Sequence, residues 1–179
     1  MLKIAISPFE LMAGNKQDAF RHIDLDLLEP GLSSEHYARL DKMAEALKED
    51  SSVRVRLTQR VNYKRASQRL ANLSLKIAYY NHTHGDKQGY LDMLAFSRIN
   101  DTKMSNRDVI KYADSLLRAQ GIDPSVMNTQ AKAMALYGDV VEGRMVQLME
   151  LRNRIIMDYM GFQHQDLPAG SFSINNVVI

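Results

Sequence analysis

Apolar and polar residues alternate near the start of the chain, again after residue 50, and at its end. Leu2, Ile4 and Ile6 alternate with Lys3, Ala5 and Ser7, the period of two of a half-buried strand that stops before Pro8. Val53, Val55 and Leu57 alternate with Arg54, Arg56 and Thr58, which predicts a second strand or an extended arm over 53–58. Phe172, Ile174, Val177, Val178 and Ile179 close the chain on apolar residues and make 171–178 a third extended segment. Elsewhere the period is helical. Pro30-Gly31 and an N-capping Ser33-Ser34 precede Tyr37, Leu40, Met43 and Leu47, spaced by threes and fours, which predicts a helix to about Glu49. From about Asn62, Ala66, Leu70, Leu73, Ile77 and Tyr80 form one apolar stripe that ends at the loop 81–85. Gly89 to Ile99 reads as a short apolar helix. Ser105 and Asp108 then form a capping box for a helix that Gly121 closes. Asp123 as N-cap and Pro124 at the first helical position are expected to open the longest helix, to about Met160, with a seam of Met134, Val141, Leu148 and Ile155 that Gly138 and Gly143 interrupt.

These elements predict a mainly α fold: a helical bundle of about five helices, with a small accessory β-sheet or strand additions from the termini. Isolated extended segments need partners for their backbone groups, either one another or neighbouring subunits. A chain of 179 residues suits a single domain, 1–179, with 1–32 as an N-terminal strand and arm and 163–179 as an extended C-terminal tail. With 45% hydrophobic and 25% charged residues it can bury a core, which excludes a disordered tail protein. The absence of cysteine removes disulfides, thiolate metal sites and a cysteine nucleophile; a cytoplasmic setting is expected, although the absence fits any compartment. No apolar run approaches the roughly 20 residues of a membrane span, and the first residues lack a signal peptide, so the expectation is a soluble protein without a membrane partner. Eleven methionines at largely helical spacing read as core filling.

Charge changes the picture more. The net charge is +2, yet Met1–Asp50 carries −4, Ser51–Gln120 carries +8 and the remainder −2. No acid occurs between Asp50 and Asp86, where Arg54, Arg56, Arg60, Lys64, Arg65, Arg69 and Lys76 supply seven cations. Acids normally pair with such surface cations. Their exclusion points to a polyanion, an acidic partner, or the chain's own acidic first block as the counter-charge. On a helical wheel Arg65, Arg69, Asn72 and Lys76 run beside the apolar stripe, and Tyr63 and Tyr79 stand at either end, where their rings could stack on exposed bases.

Two short segments resemble catalytic families. His82-Thr83-His84-Gly85-Asp86 resembles the HxHxD segment of metallo-β-lactamase-like hydrolases, which implies imidazole and carboxylate metal ligands; Lys87 stands where that motif has a further histidine. Arg152-Asn153 with Met157 and Tyr159 resembles the RNxxxHxY segment of HEPN-type ribonucleases, which implies an RNA-cleaving helical bundle. Met157 replaces the histidine, and a thioether cannot carry the proton. The plainer expectation there is that Ile155, Ile156, Met157, Tyr159 and Met160 are buried while Arg152 and Arg154 reach solvent. No phosphate-cradling loop, triad or cofactor motif appears, so no catalytic residue, metal or cofactor is assigned. The expected function is non-catalytic, sequence-independent binding of RNA or DNA by a helical subunit of a larger nucleoprotein complex, with Arg54, Arg56, Arg60, Lys64, Arg65, Arg69, Lys76, Tyr63 and Tyr79 at the interface. The alternative is a structural or adaptor subunit, as of a phage particle or secretion apparatus, whose basic face docks on an acidic neighbouring protein.

Overall fold

A computed structural model describes residues 2–6, 22–26, 28, 31–85 and 98–178. The protein is mainly helical with a small sheet, as the sequence pattern predicts. In chain order the elements are β1 (Leu2–Ile6), β2 (His22–Leu25), α1 (Ser34–Glu49), β3 (Val55–Val61), α2 (Tyr63–His84), α3 (Arg107–Ala119), α4 (Thr129–Tyr137), α5 (Val141–Gln163) and β4 (Phe172–Val178). A 3-10 turn, Gly138–Val140, joins α4 to α5. The contacts cluster in two compact units, Met1–Asn62 with Met149–Ile179, and Tyr63–Leu148.

The first unit holds the sheet, in the order β2-β1-β3-β4. β1 pairs antiparallel with β2 (Ile4 opposite Ile23) and with β3 (Lys3 opposite Arg60, Ala5 opposite Thr58). β4 pairs parallel with β3 from Val55 opposite Phe172 to Val61 opposite Val178. The three segments predicted as extended therefore pair with one another. β2 is an addition: its four residues are too few for their alternation to stand out, and they lie in the stretch expected to be an arm. Helix α1 begins where predicted. Ser33 Oγ accepts from His36 N while Ser33 N donates to His36 Nδ1, a capping box with histidine in the usual glutamate position. The unit's core joins Ile23 and Leu25 of β2, Leu40, Met43, Ala44 and Leu47 of α1, Leu57 and Val61 of β3, and Met149, Ile156 and Met160 of α5.

The second unit is helical, built on α2, α3, α4 and the first turns of α5, with Leu70, Leu73, Leu75, Val109, Ala113, Leu117, Ala133, Val141, Met145 and Leu148 in its core. Asn106, one residue past the predicted Ser105, caps α3 by accepting from Asp108 N at 2.9 Å. Gly121 ends it as expected, at φ +76°: Ile122 N donates to Leu117 O and Gly121 N to Arg118 O, the paired bonds of a Schellman turn.

The predicted longest helix is corrected. Asp123 does accept a bond two residues on, from Ser125 N at 3.0 Å, but this closes a local turn, and the helix opens only at Thr129, where Asn128 accepts from Ala131 N at 2.8 Å. An acceptor followed by proline suits a turn as well as a helix start, and the backbone takes the turn. The run then breaks at Gly138, whereas Gly143 stays helical. The short helix expected over 89–99 lies largely outside the described residues; a helical turn occupies 98–101. Met43, Met145, Met149 and Met160 fill core positions, while Met157 is exposed.

Candidate nucleic-acid interface

Strand alternation decides where the first three cations go. On β3, Leu57, Gln59 and Val61 are buried, so Arg56, Thr58 and Arg60 point the other way, and both arginines are exposed. The parallel register sets Arg56 beside Ser173, Thr58 beside Asn175 and Arg60 beside Val177, and all three β4 neighbours are exposed. The outer face of β3 and β4 thus carries two guanidiniums among neutral groups, with no acid on these positions. Arg54 precedes the strand and folds back on its own turn, donating to Ser51 O at 2.7 Å and Val53 O at 2.9 Å.

On the opposite side of the two strands lies an amide cluster that runs from buried Gln59 through half-buried Asn153 to exposed Asn176. Gln59 Nε2 donates to Met149 O at 3.1 Å, Asn153 Oδ1 at 3.1 Å and Asn176 Oδ1 at 3.2 Å, and Asn153 Nδ2 donates to Asn176 Oδ1 at 3.0 Å. It ties β3, β4 and α5 together. A one-residue slip of β4 would swap Asn176 for an outward residue, so the cluster fixes the register that sets Ser173 and Asn175 beside the arginines.

The remaining predicted residues belong to the helical unit and differ among themselves. Tyr63, Lys64 and Arg65, in the first turn of α2, are exposed, and that turn has no acid, so two cations sit at the positive end of the helix dipole. Arg69 and Lys76 are half-buried. Lys76 Nζ donates to Asn100 O at 2.6 Å, and burial lowers its pKa, partly offset by Asp101. Tyr79 packs edge-on against Tyr112 at 5.8 Å between ring centres. The sequence stripe is therefore open only at its start, because α2 buries so many of its positions between Ala66 and Ile77 that little of its circumference is left to solvent.

His82 and His84 turn to different tyrosines. His82 stacks on Tyr112 at 4.8 Å and His84 on Tyr80 at 4.1 Å, with His84 Nδ1 3.0 Å from Tyr80 O. Asp86 lies outside the described residues; among the described ones no three potential ligands converge. The expectation that Arg152 reaches solvent is overturned. It is fully buried and donates to Asp26 O, because its position on α5 faces the core beside Met149 and Ile156. Arg154 is exposed as expected, but so is Met157, while Ile155 and Tyr159 are half-buried.

A second polar group, which no sequence pattern signals, is formed by Asp41, Tyr159 and His164. Tyr159 Oη donates to Asp41 Oδ1 at 2.7 Å, and His164 Nε2 lies 2.8 Å from the same oxygen. The Tyr159 bond, with help from His164, holds Asp41 below its ordinary pKa against some desolvation, and Asp41 in turn pushes the Tyr159 phenol up to about 12. Lys48 also pairs with Asp166 at 2.7 Å, so α1 is joined twice to the chain that follows α5. No sequence pattern links residues more than a hundred positions apart.

Comparison with protein-family models found no match, and neither the curated proteins nor the solved structures include one significantly similar to this chain. No helix among the described residues is long and apolar enough to cross a membrane.

Proposed function

We propose that the protein is a non-catalytic subunit that holds RNA or DNA through its phosphate backbone, without base readout, in a cytoplasmic nucleoprotein complex. The observation that carries this reading is the outer face of β3: Arg56 and Arg60 are exposed, their neighbours on β4 are neutral, and neither is in an ion pair among the described residues. Guanidinium forks suit phosphate oxygens, and Thr58, Ser173 and Asn175 supply neutral donors of the kind that bind phosphate without reading sequence. The exposed cations Lys64 and Arg65 add a second basic site on the helical unit. In this reading the weight lies on Arg56 and Arg60 rather than on Arg65, Arg69 and Lys76, on which the sequence stripe is centred. The test is retention of RNA and DNA on filters at low salt. Binding that weakens with salt, and weakens in Arg56→Ala/Arg60→Ala, is expected; wild-type protein that retains neither refutes the reading.

One observation favours the adaptor alternative. β4 ends the described strand order, and none of its seven residues, Phe172–Val178, is charged or proline. Strands at a sheet edge normally carry such protection against pairing. An edge of this kind suits strand addition by a neighbouring protein subunit, and a native mass unchanged by removing Phe172 to Ile179 would count against it.

A further inference from the structure

We infer that the ligand of the β3–β4 face is a nucleic-acid duplex rather than a single strand; the inference rests on the phosphate-binding reading above. Proteins that hold single strands gain roughly 1–3 kcal/mol per base by stacking bases on aromatic side chains. The outward positions Arg56, Thr58 and Arg60 of β3, and Ser173, Asn175 and Val177 of β4, include no aromatic residue. Phe172, the one aromatic residue in the two strands, falls on the opposite face in register with Val55. A flexible single strand on this surface would give up its conformational freedom for ionic and polar contacts alone.

A duplex meets the same surface on better terms. It is stiff over roughly 150 base pairs, so little freedom is lost on docking, and its two strands together present one charge per roughly 1.7 Å of axis, about twice the density of one strand. Arg56 and Arg60 are four residues apart on an extended strand, so their backbone positions are about 13 Å apart. Several phosphates of a duplex fall within that span, and each guanidinium can engage one in a fork. Thr58, midway between them, and the Ser173 and Asn175 side chains beside Arg56 and Thr58 provide the intervening neutral contacts.

The test uses the full chain and fluorescence anisotropy with a short labelled DNA duplex and, separately, each of its component strands, over a salt series. We expect the duplex to bind about tenfold tighter than either strand, a difference of about 1.4 kcal/mol. Arg56→Ala/Arg60→Ala should lower the slope of log affinity against log salt for the duplex by about 1.8, two phosphates at about 0.9 each. Arg56→Lys/Arg60→Lys, which keeps the charge, should retain the slope, and this also serves as the folding control. A strand that binds as tightly as the duplex, or more tightly, overturns the inference while leaving phosphate binding intact. Absence of binding to the DNA duplex and its strands, and to an RNA duplex and single strand of the same sequence, overturns both. A wild-type slope retained by the alanine pair places the site elsewhere and also overturns the inference.

Discussion

In the helical unit Lys132, Arg144 and Lys76 are drawn inward and given partners, while Lys64 and Arg65 at the start of α2 stay exposed; on the outer face of the sheet Arg56 and Arg60 are both exposed. Lys132 is 93% buried by its residue surface, and its ammonium lies 2.5 Å from Asp114 Oδ1, an ion pair of nearly enclosed groups. Arg144 donates to Ser74 Oγ, and Lys76 to Asn100 O. Arg56 and Arg60, from the same acid-poor stretch of sequence as Lys76, have no such partners among the described residues. The difference comes from geometry. A strand packed on one side must turn every second residue outward, whereas a helix surrounded by others can keep a basic stripe half-enclosed and find carbonyls for it. A run of positive charge in sequence is therefore no measure of a positive surface until the element that carries it is known.

The sharpest way to break this contrast is to remove one partner of the enclosed pair. Lys132→Ala leaves the partly enclosed Asp114 without its cation and should cost about 3 kcal/mol in a urea melt. Gln59→Ala strips Met149 O, Asn153 and Asn176 of a shared donor. It should cost about 1–3 kcal/mol and speed amide exchange along β4, since the donor ties that strand to β3 and α5. If β4 exchange is unchanged, the cluster does not hold the register.

A third measurement concerns Asp41. Its folded pKa lies below the unfolded value of about 3.9, so its contribution is complete above that pH and is lost as pH falls through the folded value. The Tyr159 pKa is raised, so its contribution is complete below about pH 10 and is lost as pH rises through about 12. In Asp41→Asn the acid limb of the stability curve should be shallower, and ultraviolet titration should find Tyr159 ionising nearer the ordinary tyrosine value. The smallest effect is expected on the sheet face: Arg56→Ala and Arg60→Ala should each change stability by no more than about 0.5 kcal/mol. A larger loss would mean that these arginines do have structural partners and would erase the contrast between the two regions.

Much of the fold is legible because local chemistry dictates it. Ser33 caps α1, Gly121 reverses the chain after α3, and alternation at Leu2, Ile4, Ile6 and at Val55, Leu57 marks β1 and β3. Legibility fails where one local signal serves two structures, as at Asp123-Pro124, or where an element is short, as at His22–Leu25. At the candidate site the sequence identifies the cations but not their exposure. Arg56 and Lys76 look alike in the chain, and only the pairing of β3 and the packing of α2 separate them. Ser173 and Asn175 enter because β4 lies parallel to β3, a long-range fact that no local pattern encodes. Arg152 defeats the rule that long cations seek water, since a backbone carbonyl at Asp26 receives it in the core.

The parallel pairing of β4 with β3 has a consequence for the order in which the molecule assembles. Gln59 and Asn176, joined in the finished sheet, are 117 residues apart, and closing a flexible loop of that length costs about 4 kcal/mol before any contact is made. Residues 63–148, which lie between them, form a unit from one continuous stretch of chain. During synthesis that stretch emerges complete while β3 still lacks the strand that will cover its flank, so the pairing of β4 is the late event, and the chain must leave the ribosome through residue 178 before the cationic face takes its final shape.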